Sequence, residues 1–142
     1  MARPAIKNGK LLSAITPTAG VAGATNLNGS IIDCSGFGGC LIAVHFGAIV
    51  AGAVTSIKAQ WGDDPGLSDA ADITGASVAV ADTEDDKVFY IDVHRPSKKY
   101  LRLVVSRATA NATVCAVYLL YDPRQRPVSQ GAAVAGVFVI AP

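Results

Sequence analysis

Residues 55–61, TSIKAQW, alternate strictly: Thr55, Ile57, Ala59 and Trp61 fall on one face, and Ser56, Lys58 and Gln60 on the other. KVFYIDVH (87–94) puts Phe89, Ile91 and Val93 on one face and Tyr90, Asp92 and His94 opposite. KYLRLVVS (99–106) turns Leu101, Leu103 and Val105 inward and Tyr100 and Arg102 outward. A period of two with one polar face marks half-buried antiparallel strands. TVCAVYLLY (113–121) is apolar on both faces and reads as a strand covered on both sides. Residues 11–16, 28–33, 40–46, 77–80 and 134–140 are further strand candidates.

Turn signals separate these runs: Pro17, Asn28-Gly29, SGFGG, Gly52, GDDPG, DTEDD, RPSKK, ATAN and DPRQRP. About eight short strands at this spacing predict an all-β, antiparallel, jelly-roll-like β-sandwich. GLSDAADI (66–73) is the most helix-like piece and allows no more than a turn or two. The chain of 142 residues reads as one domain over 11–127, with a flexible basic arm over 1–10 and an apolar segment over 128–142. That last segment, VSQGAAVAGVFVIAP, must be covered by its own domain or by a neighbouring copy.

Composition narrows the function. The chain is 51% hydrophobic, 6% aromatic and only 16% charged, where an average soluble domain carries about 25% charged residues. So little charge points to a surface hidden against a partner. Asp63, Asp64, Asp69, Asp72, Asp82, Glu84, Asp85, Asp86 and Asp92 crowd residues 63–92, with Lys87 the one base there. From 93 onward Arg95, Lys98, Lys99, Arg102, Arg107, Arg124 and Arg126 face only Asp122. Such segregation can steer like subunits together, acidic face to basic face. The longest apolar stretch, Leu41–Val54, is broken by His45, Gly47 and Gly52 and falls short of the roughly 20 residues a bilayer needs. The N-terminus lacks an apolar signal-peptide core, so no secretion leader is expected, and the three cysteines are expected as reduced thiols.

Cys34, Cys40 and His45 flank the glycine-rich SGFGG, the stretch that looks most like chemistry. Structural zinc wants four Cys/His ligands in close pairs, and here one wide gap stands beside a solitary Cys115. No metal is expected. SGFGG lacks the Lys-Ser/Thr ending and following helix of a phosphate loop, so its glycines serve a tight connection between strands. GDDPG and ADTEDD miss the spacing of a calcium-binding loop and read as solvated turns. HRPSKKYLRLVV (94–105) is the densest basic stretch, but it lacks interleaved aromatics, and the net charge is only +1, so no nucleic-acid partner is expected. No catalytic residue and no cofactor is predicted. An enzyme would need His45 or His94 beside an acid in a pocket.

The order of elements resembles small proteins of tailed bacteriophages, encoded among the head genes and regarded as capsid decoration or cement proteins. The residues that carry the likeness are Ile15 and Pro17; Ile31, Ile32, Asp33, Gly36 and Phe37; Asp63, Asp64, Leu67, Ser68, Asp69, Ala70 and Ala71. Further on they are Lys87, Val88, Phe89 and Ile91; Ser97, Lys98, Tyr100, Leu101, Arg102 and Leu103; and Pro123 and Pro127. The likeness covers residues 11–127 and departs at Lys99, at Arg95-Pro96 and in the tail after Pro127. It implies a β-sandwich outside the shell that bridges major capsid subunits, without catalysis.

The expectation is therefore a structural virion protein on the exterior of a phage head, made in the host cytoplasm. It would self-associate as a dimer or trimer and engage the major capsid protein through many weak contacts repeated over a lattice. Expected assembly contacts are Arg3, Ile6, Lys7 and Lys10 in the arm and Val134, Val137, Phe138 and Ile140 in the tail. The basic edge Lys98, Lys99 and Arg102 stands second. Two alternatives stay open: a neck, tail or head-fibre component, and a small-ligand or carbohydrate-binding sandwich. The latter requires an exposed aromatic cluster, whereas alternation places Trp61, Phe89 and Tyr118 on core strands.

Overall fold

Among the described residues nine strands pair as one long hairpin closed upon itself. A computed structural model describes residues 4–17, 25–132, 134–136 and 139–140. One helical turn, α1 (Ala5–Asn8), precedes β1 (Gly9–Ile15), β2 (Leu27–Asn28), β3 (Ile32–Asp33), β4 (Phe37–Ile49) and β5 (Val54–Gly62). Then follow β6 (Ala71–Val80), β7 (Val88–His94), β8 (Tyr100–Ala108) and β9 (Ala112–Pro123). The antiparallel pairs nest: β5 with β6, β4 with β7, β2 and β3 with β8, and β1 with β9. Folding the nest so that β9 meets β4 and β8 meets β5 yields two sheets. Their orders are β1-β9-β4-β7 (sheet A) and β2-β8-β5-β6, with β3 also on β8 (sheet B). With β2 and β3 taken as one interrupted strand, this is the eight-stranded jelly roll the sequence predicts.

Alternation builds the core between the sheets. Ile42, Val44, Phe46, Val114, Tyr118 and Leu120 from sheet A meet Ile57, Ala59, Leu101, Leu103 and Val105 from sheet B, all almost wholly buried. Leu101, Leu103 and Val105 read from KYLRLVVS and Ile57 and Ala59 read from TSIKAQW are among them, while Thr55 is a buried polar residue and Trp61 is half-buried.

Three local expectations change. Residues 66–73 form no helix; β6 already starts at Ala71. The Asp64 carboxylate accepts the Gly66 and Ser68 amides, and the Asp69 carboxylate accepts those of Asp63 and Asp64. These side-chain acceptors compete with helix formation. The candidate strand 28–33 is split, because Gly29 bonds to Leu103 in sheet B while Ser30 bonds to Ala14 in sheet A. Residues 134–136 and 139–140 of the candidate strand 134–140 carry no strand pairing.

Candidate assembly surface

The outward residues of sheet A form cross-strand rows. Leu11 on β1 faces Leu119 on β9, Leu119 faces Leu41 on β4, and Leu41 faces Asp92 on β7. The next row runs Ser13, Val117, Ala43, Tyr90, and the next pairs Cys115 with His45 and His45 with Val88. Leu11, Val88, Tyr90, Val117 and Leu119 are all exposed, Tyr90 at 66%. The result is a contiguous apolar surface across the middle of the sheet. The outward face of β9, read from the sequence as covered, is left open by the domain itself.

Sheet B faces outward with different chemistry. Arg102 Nε donates to Gln60 Oε1 at 3.0 Å, Gln60 Nε2 to Asp72 Oδ1 at 2.7 Å, and Lys58 Nζ to Asp72 Oδ2 at 2.9 Å. This ladder satisfies its polar groups laterally and suits contact with water. The Asp72 carboxyl is held below its ordinary pKa first by its bond from Gln60, then by that from Lys58.

At one end of sheet A, Tyr121, Asp92 and His94 meet above Gly39. A Cβ at position 39 would run into the Tyr121 ring, so the glycine lets the phenol lie across β4. Its hydroxyl donates to Asp92 Oδ1 at 2.6 Å and lies 3.3 Å from His94 Nδ1, with the two rings parallel within 8°. The phenol pKa is pushed up to about 12, first by lost water contact and then by the Asp92 carboxylate.

The residues expected from the sequence scatter around these faces. Ile6 is half-buried and Lys7 exposed at α1, and Lys10 lies on β1. Gln130 of the segment after Pro127 donates to the Ile6 and Gly9 carbonyls and accepts the Leu11 amide. That segment therefore runs along the edge of β1. Lys98 pairs with Asp63 at 2.7 Å and Lys99 with Asp33 at 3.8 Å, so part of the basic stretch is matched within the domain. Arg102 belongs to the polar ladder of sheet B. Val134 is half-buried and Ile140 is 91% exposed. Arg3, Val137 and Phe138 lie outside the described residues. Leu11, Val88, Tyr90, Val117 and Leu119 were not among the expected contacts; the two-sided apolar pattern of 113–121 was the signal for Val117 and Leu119.

The cysteine loop resolves into strand chemistry. Cys34 and Cys40 are buried, and burial raises both thiol pKa values, Cys34 to about 12. His45 points out of the sheet while Cys40 points in. Among the described residues no group of three or more His, Cys, Asp or Glu could hold a metal ion.

No protein-family model matches the chain, and no curated protein matches it. Among solved structures it is similar to the PBSX exported protein XepA, with TM-score 0.54 and 15% identity over 99% of this chain and 46% of that one. The chain thus spans about half the length of that protein. It is also similar to a protein of the Bacillus endospore appendages described as disulfide-linked pili, with TM-score 0.47 and 10% identity over 87% and 97% of the two chains. PirA follows, with TM-score 0.37 and 20% identity over 79% and 84%. The likeness to XepA supports the all-β sandwich. Among the described residues no helix is long and apolar enough to cross a membrane.

Proposed function

We propose that this chain is a non-enzymatic structural protein of a phage particle, a decoration protein that binds the outside of the head and bridges major capsid subunits. The observation that carries the reading is the apolar outer face of sheet A on a domain whose opposite face is a satisfied polar ladder. Exposed contiguous apolar surface of this kind marks a contact with another protein. The order of motifs over residues 11–127 supports a head protein, and the low charge supports a hidden face. On a shell the contact repeats at every lattice position, so modest affinity at each site suffices.

The test is to quantify the chain in purified particles and to repeat it with Leu119→Asp. The wild type should co-sediment with heads in proportion to the major capsid protein, and the variant should be lost from heads while melting as the wild type does. A copy number that follows the tail or neck, or full retention of the variant, overturns this reading.

A further inference from the structure

A groove of about 360 Å³ runs between β6 and β7, the two edge strands on one side of the sandwich. One wall is a bulge. Ala59 alone on β5 stands opposite Ile73, Thr74, Gly75 and Ala76, because Gln60 pairs with Asp72 and Lys58 with Ser77. Gly75 takes φ +82° there, a conformation that favours glycine. Bulges at sheet edges redirect the chain and recur beside binding sites. The other wall is β7, from Tyr90 to Arg95.

The lining combines two aromatic rings with open polar groups. Trp61 packs partly on the core and also lines the groove, and Tyr90 lines it from the β7 side. Asp92 gives one carboxylate oxygen to Tyr121, which leaves Oδ2 open among the described residues. Tyr121 spends its proton on Asp92, so in its contact with His94 the ring Nδ1 is the side that donates, and Nε2 has no hydrogen-bond partner among the described residues. The backbone amide of Arg95 bonds to Gly38 at 2.8 Å and its φ is +51°, which turns the residue off the strand. Its guanidinium has no ion pair among the described residues.

We infer that this groove is a binding site for a neutral oligosaccharide. A pyranose ring has an apolar C–H face, which lies on an aromatic ring, and a rim of hydroxyls that both donate and accept. Tyr90 and Trp61 supply aromatic surface, Asp92 supplies an acceptor, His94 an open ring nitrogen, and Arg95 planar donors. Tyr121 holds Asp92 and His94 in place before a ligand arrives, which lowers the ordering cost of binding. The groove's size lies in the roughly 300–1,000 Å³ range of small-molecule clefts. Such a site would let this chain hold a glycan, and because Tyr90 belongs both to the groove and to the apolar face of sheet A, glycan and shell would compete for that residue.

Trp61 is the chain's one tryptophan, so its emission reports directly on the groove. Titration with maltohexaose, cellohexaose and chitohexaose should give a saturable change for at least one of them. Amide shift changes in the unmodified protein should centre on Gly75, Tyr90 and Arg95. Tyr90→Ala and Arg95→Gln, both at exposed positions, should each weaken binding about tenfold. Leu119→Ser, on the part of the assembly face outside the groove, should bind as the wild type, which separates sugar binding from the Leu11–Leu119–Leu41 row. No saturable change with any of the three sugars overturns the inference. So does binding that persists unchanged in both groove variants, or shifts produced only by an extended peptide added to the β6 or β7 edge.

Discussion

The hydroxyl of Tyr118 donates to the carbonyl oxygen of Ser30 at 2.8 Å, joining β9 of sheet A to the break between β2 and β3. The Tyr118 hydroxyl oxygen itself accepts the Leu103 amide of sheet B at 2.8 Å. Ser30 in turn donates its amide to Ala14 and its hydroxyl to Ser13, both on β1. One wholly buried phenol thus ties both sheets to the crossing segment. A Cβ at Gly29 would come within 2.7 Å of that hydroxyl, so the glycine makes room for it.

Removing this oxygen leaves a buried amide without its partner, and an unsatisfied buried group costs about 1–3 kcal/mol. Tyr118→Phe should lower the urea midpoint accordingly, with an unchanged denaturant slope. An unaltered midpoint would show that the two bonds contribute nothing net.

The acidic turn before β6 should carry a pH signature. Asp64 is held below the ordinary carboxylate value of 3.8, chiefly by bonds from Ser68 and then Gly66. Asp69 is held below it by the amides of Asp63 and Asp64. A folded-state pKa below the unfolded one means the turn is stabilised fully above the unfolded value. That stabilisation is lost as pH falls through the lower folded values. The Gly66 and Ser68 amide signals should therefore titrate with midpoints below 3.8. In Asp64→Ala that acid transition should vanish from both amides; its persistence would assign it to another group.

Much of this architecture is legible in the chain because it is local. Leu101, Leu103 and Val105 alternate with polar neighbours and declare their face without help from the rest of the fold. The start of β6 is not legible, since Ser68-Asp69-Ala70-Ala71 suits a helix and only the carboxylate-to-amide bonds of Asp64 and Asp69 turn it elsewhere. The assembly face is harder still. Leu11, Leu119 and Leu41 form a row only once β9 is paired with both β1 and β4, and register between distant segments is not written in either one. The groove likewise depends on β6 and β7 lying at the same side of two different sheets.

The Gln130 side chain covers the edge of β1. Gln130 satisfies the Ile6 and Gly9 carbonyls at 2.8 Å each and the Leu11 amide at 3.2 Å. An unpaired edge is a template for unwanted strand addition, and covering it is a common protection. Gln130→Ala should speed hydrogen exchange at Leu11 and cost about 0.5–1.5 kcal/mol. Faster aggregation on storage should accompany it. Exchange at Leu11 equal to the wild type would mean that another group takes over the edge.

Arg107 is the misfit of the core. It faces inward on β8 opposite Thr55, at 5% exposure, and among the described residues it has no acidic partner. Among the described residues its Nη1 donates to the Ala112 carbonyl at a long 3.4 Å, and both its Nε and the Thr55 hydroxyl lack partners. Desolvating a guanidinium is expensive, and a weak neutral acceptor returns little of that cost. A methionine of similar length fills the same space with no charge to desolvate. Arg107→Met should therefore leave the denaturation midpoint unchanged or raise it, by up to about 4 kcal/mol in unfolding free energy. Thr55→Val in the same chain should add to the gain, because it removes the facing unsatisfied hydroxyl. A lowered midpoint in Arg107→Met would make the guanidinium a net stabiliser of this fold.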